Sequence, residues 1–159
     1  MRLPPLILSI LLLVLTISYS QDESLQKSKP SPLSANASLG LPPEIITKTD
    51  HFFKKLILSD VDGAFNEFLQ DSPISGKKDQ LRSLIDQAKR SVELYGKMDG
   101  YEIVSHESVT ESFLKVRFLA LHSKFPMRWI ISFYRSPDKG WIIINIKFDD
   151  LAEYYFTDE

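Results

Sequence analysis

Between Phe113 and Phe148 the chain alternates apolar and polar positions in three successive runs. Side chains alternate across a pleated strand, so Leu114 to Leu121, Met127 to Arg135 and Trp141 to Phe148 read as consecutive strands. The connections are His122-Ser123-Lys124-Phe125-Pro126 and the tight turn Ser136-Pro137-Asp138-Lys139-Gly140. In the last run Ile142, Ile144, Ile146 and Phe148 form an apolar parity, whereas the other parity turns polar at Asn145 and Lys147. Antiparallel pairing is then expected to put Leu114, Val116, Phe118, Ala120, Ile130, Ser132, Tyr134 and the even isoleucines beneath a layer of helices. The opposite face would carry Lys115, Arg117, Leu119, Trp129, Ile131, Phe133, Trp141, Ile143, Asn145 and Lys147. A slip of one residue exchanges these faces. Tyr101 to Ser108 has no clearly apolar parity and reads as an edge strand.

Upstream the spacing becomes helical. Ile45, Ile46, Phe52, Phe53, Leu56 and Ile57 recur at steps of three and four, which predicts a first helix from Glu44 to about Leu58. Ser59-Asp60 offers a cap for a short second helix carrying Val61, Ala64, Phe65, Phe68 and Leu69, stopped at Asp71-Ser72-Pro73. Gly63 weakens this helix. Lys78 to Tyr95 reads as the third helix, closed by Gly96. Asp149 to Glu159 is an acidic tail with room for one helical turn through Leu151, Tyr154, Tyr155 and Phe156.

Before the helices, Met1 to Ser20 has the form of a signal peptide: Arg2, an apolar run from Leu6 to Ile17, and Ser18-Tyr19-Ser20 before Gln21. An uncleaved membrane anchor is the lesser alternative. Residues 21–43, rich in Ser, Pro, Lys and Gln, read as a disordered linker, because they bury too little surface to offset chain entropy. Asn36-Ala37-Ser38 is a glycosylation acceptor pattern. Residues 44–159 form the expected domain. With 159 residues, 43% of them hydrophobic, the chain has room for one modest core. A net charge of −2 supplies no basic field for a phosphate backbone, so nucleic acid is not an expected partner. The absence of cysteine removes disulfides, thiolate metal sites and cysteine nucleophiles. An exported domain that lives on its core alone suits a bacterial periplasm, although secretion fits as well.

Three helices followed by an antiparallel meander is an α+β order. The run Glu93-Leu94-Tyr95-Gly96-Lys97-Met98-Asp99-Gly100-Tyr101-Glu102-Ile103-Val104 and the run Asp138-Lys139-Gly140-Trp141-Ile142-Ile143 resemble a helix-to-strand junction and a last hairpin. These are found in small exported bacterial domains of the nuclear transport factor 2-like (cystatin-like) superfamily. The resemblance spans about Glu44 to Phe148. It implies three N-terminal helices packed on one face of a curved, cone-like, four-stranded meander. In that superfamily the cone is either a catalytic pocket, as in ketosteroid isomerase-like members, or a packed core.

Isomerase-like chemistry needs a carboxylate base and hydrogen-bond donors converging in an apolar chamber. Arg128, Ser132, Tyr134 and Tyr95 are the candidates to bind a ligand inside the cone. No carboxylate lies on the apolar parity of the three clear strands, so the base is missing and no catalytic residue is assigned. Asp99, at a helix end before Gly100, reads as a turn residue. Arg128 at a strand end reaches solvent on the plainer reading, and Ser132 and Tyr134 are satisfied core polar groups. His51, His106 and His122 show no metal-ligand spacing, and no cofactor is implied. Without a nucleophile elbow or Gly-rich loop, neither a triad nor a phosphate cradle is supported.

Trp129, Ile131, Phe133, Trp141 and Ile143 are expected to form an exposed apolar patch rimmed by Lys115, Arg117 and Lys147. Such a patch would dock a second copy, giving a homodimer, or another exported protein, unless residues Leu151 to Phe156 fold over it. The expected function is thus an exported, non-enzymatic binding or assembly module acting through the sheet face or the cone. The alternative is a small-molecule pocket protein with isomerase- or hydratase-like chemistry.

Overall fold

The computed structural model describes residues 40–156. The signal-peptide segment, Asn36 and the linker as far as residue 39 lie outside the described residues. Helix α1 (Pro43–Ile57) begins on a proline, where the missing N–H is not needed. Helix α2 (Val61–Phe68) is capped by Asp60, whose carboxylate accepts the Gly63 N–H at 3.0 Å. That cap accounts for Gly63, because a Cβ there would lie 2.2 Å from the Asp60 carboxylate. Helix α3 (Lys78–Tyr95) ends at Gly96, which turns the chain with φ +85°. Four strands follow: β1 (Met98–Thr110), β2 (Phe113–His122), β3 (Met127–Ser136) and β4 (Gly140–Asp149). They form an antiparallel meander in the order β1-β2-β3-β4, so β1 is an edge strand as expected and β4 is the other. A 3₁₀ turn (Ala152–Phe156) ends the described chain.

The helices pack on one face of this sheet through aromatic rings. Phe52 and Phe53 of α1 meet Trp129 edge-on with centroids 5.6 and 5.7 Å apart, and Phe53 also lies 5.0 Å from Phe118. Phe65 and Phe68 of α2 reach Trp129 and Phe133. All these rings are buried. Each burial contributes roughly 1.5–3 kcal/mol, and edge-to-face pairs add about 0.5–1.5 kcal/mol.

The sheet faces are not those the sequence suggests. On β2, Leu114, Val116, Phe118 and Ala120 point inward as expected. They oppose Phe133, Ile131, Trp129 and Met127, so on β3 the odd positions are the buried ones. Ile130 is half-buried and Tyr134 exposed. In β4, Trp129 opposes Phe148 and Ile131 opposes Ile146, but a bulge intervenes and Phe133 opposes Ile143. Parity therefore reverses within β4: Ile146, Ile143 and Trp141 join the core, whereas Ile144 is 36% exposed. The expected docking patch of Trp129, Ile131, Phe133, Trp141 and Ile143 is consequently the inner face, each residue no more than 5% exposed. The linker boundary also moves, since Leu41 is buried in the core and Pro43 already belongs to α1.

Candidate functional site

The outward face of the sheet is closed by polar pairing. Arg117 binds Glu107 across the β1–β2 pair, and Lys115 reaches the same carboxylate at 3.0 Å. Hydrogen bonds from Arg117 first and Lys115 second hold the Glu107 carboxyl below its usual range. Arg128 grips Asp149 with two bonds, Nε to Oδ1 at 3.0 Å and Nη2 to Oδ2 at 2.9 Å. Its guanidinium also lies 5.6 and 6.0 Å from the ring centroids of Tyr154 and Tyr155. Tyr155 directs its hydroxyl at the carbonyls of Phe118 (2.9 Å) and Trp129 (3.3 Å), so the C-terminal turn folds back on this face. Burial pushes the Tyr155 phenol up to about 12, with nearby Arg128 pulling the other way.

The four residues expected to line a chamber do not meet in one. Arg128 is paired as described. Ser132 and Tyr134 alternate in register with Ile131 and Phe133 and so lie on the outward parity, where Ser132 is nonetheless buried and Tyr134 is exposed. Tyr95 ends α3 and donates its hydroxyl to Asp150 at 2.6 Å, a bond that raises its pKa. Between the helices and the sheet, aromatic rings pack against one another.

An open cleft of about 420 Å³ lies instead between α1, the end of α2 with the turn after it, and β4. Its floor is apolar, made by Phe52, Phe68 and Ile143. One wall carries Lys48 and His51 from α1; the other carries Glu67 from α2 and Asp71 from the turn. Lys48 is fixed by donating to the Trp141 carbonyl at 2.6 Å and by Glu44 at 3.4 Å. His51 Nε2 lies 2.8 Å from Glu67 Oε2, and Lys55 binds the other oxygen of that carboxylate. The Lys55 hydrogen bond, followed by that of His51, holds Glu67 below its usual carboxylate range. Lys55 is raised in turn, chiefly by Glu67.

Sequence reasoning missed this site. Glu44, Lys48, His51 and Lys55 recur at helical spacing and form a polar stripe on α1, a signal that was available. Nothing local, however, announces that Glu67 and Ile143 close it. Among the described residues no group of three His, Cys, Asp or Glu side chains could hold a metal, and no helix is long and apolar enough to cross a membrane. Comparison with protein-family models, with curated proteins and with solved structures finds no match to this chain.

Proposed function

We propose that this chain is an exported, non-enzymatic binding module of nuclear transport factor 2-like type, and that it holds a small amphipathic molecule in the cleft beside β4. The observation that carries this reading is the contrast between a core filled with interlocking rings and a cleft with an apolar floor beside the fixed Lys48 ammonium. An aliphatic or aromatic body fits Phe52, Phe68 and Ile143, and a carboxylate head fits the N–H donor left on the Lys48 ammonium, since the His51 Nε2 proton is already given to Glu67. The signal-like residues 1–20 support export.

Titrating the ¹⁵N-labelled protein with octanoate and with benzoate tests the site. Amide shifts are expected to cluster at Phe68, Asp71 and Ile143, and Lys48→Met should weaken binding about tenfold, the loss of one charge-assisted hydrogen bond. Shifts scattered over the surface, or unaltered in Lys48→Met, would end this reading. The His51–Glu67 contact favours a second reading, in which His51 takes a proton from the bound molecule. Turnover of the bound ligand that His51→Gln abolishes while binding persists would establish it.

A further inference from the structure

Among the described residues two buried side-chain atoms have no hydrogen-bond partner within the chain: Nε1 of Trp129 and Nε2 of His122. Both residues line the same small void, together with Ser91 of α3 and the apolar Leu56, Ala88 and Met98. An indole N–H can only donate. The His122 ring has the complementary requirement. Its Nδ1 lies 2.7 Å from the Gly96 carbonyl, and a carbonyl oxygen only accepts, so in the neutral ring Nδ1 carries the proton. Nε2 is then left as an acceptor.

A donor and an acceptor on the wall of one void need a molecule that can satisfy both. The void measures about 10 Å³, close to the least space that holds one water and too small for anything larger. We propose that this void is a binding site for a single structural water, which accepts from Trp129 Nε1–H and donates to His122 Nε2. Ser91 supplies a third partner, since its hydroxyl proton is given to the Gln87 carbonyl at 3.0 Å and its oxygen can still accept. Three bonds is the usual number for a buried water. The bridge ties α3, the end of β2 and the first half of β3. It stands independently of the cleft, whose floor shares none of these residues.

Three measurements on the unaltered full chain test this. Water-selective cross-relaxation should give the Trp129 indole proton a direct contact with a long-lived water, and ring ¹⁵N correlations should show His122 as the Nδ1–H tautomer. In a crystal structure, density should appear within about 2.7–3.2 Å of both nitrogens. His122→Phe should reduce the Trp129 water contact several-fold. An indole proton without a water contact, a His122 ring protonated at Nε2 alone, or a void without density would each overturn the assignment, whether or not the variant folds.

Discussion

The two faces of the sheet are held by different physics. The helix-facing side is a continuous layer of rings and branched aliphatics, from Phe118 and Trp129 to Ile131 and Ile146, buried beneath Phe52, Phe53 and Phe65. The outward side is tied by ion pairs, Glu107 with Arg117 and Lys115 and Arg128 with Asp149, and by one tyrosine laid over it from the C-terminal turn. Burial of apolar surface is insensitive to salt and costs several kcal/mol to undo at a single position. Exposed ion pairs are screened and contribute little each. The inner face therefore sets whether the protein folds, and the outward face sets how its edges are finished.

That contrast breaks most sharply on β4. Ile146→Asp puts an unpaired carboxylate into the core and is expected to abolish folding, whereas Ile144→Asp, two residues away, should cost about 1 kcal/mol or less. Circular dichroism and urea melts of the pair check it, and equal effects would refute the bulge. Next, Phe53→Ala should lower unfolding free energy by about 3–5 kcal/mol with little dependence on salt.

On the outward face Tyr155→Phe should cost about 1 kcal/mol at neutral pH, one hydrogen bond. It should also act in alkali. The Tyr155 phenol titrates higher in the folded protein than in the unfolded chain, so its contribution is complete below pH 10 and is lost as pH rises towards about 12. The variant should flatten the stability loss in that window, with Tyr95→Phe removing a separate part of it. The smallest effect is expected from Glu107→Gln. The depressed Glu107 carboxyl stabilises above its usual pKa of 4.5 and loses that contribution as pH falls, so the variant should differ from the parent at neutral pH and not in strong acid. About 1 M salt should erase the difference, read as a shift in melting temperature.

Much of the fold was legible in the chain. The three helices lie within a residue or so of the expected ranges, and the clear strands extend the expected runs by one residue at one or both ends. The helical and strand periods are written in neighbouring residues, so they can be read locally. On β2 the charged Lys115 and Arg117 alternate with Leu114, Val116 and Phe118, and their desolvation cost settles which side is wet. On β3 the run Trp129-Ile130-Ile131 is apolar at both parities, and only the flanking Arg128 and Ser132, on the even parity, hinted at a side.

The candidate site divides the same way. Its α1 wall, Lys48 and His51, was visible as one helical face, but His51 meets a glutamate 16 residues away and Lys48 a carbonyl 93 residues away. By itself the sequence determined which segments are helices and strands, where they are capped and in what order they follow, because dihedral preference and amphipathic period act over a few residues. Only the tertiary structure decided the register of β3 on β2 and the bulge in β4, and with them which rings are core and where a cleft opens. Those depend on how the strands and helices fit together in three dimensions, which no local stretch encodes.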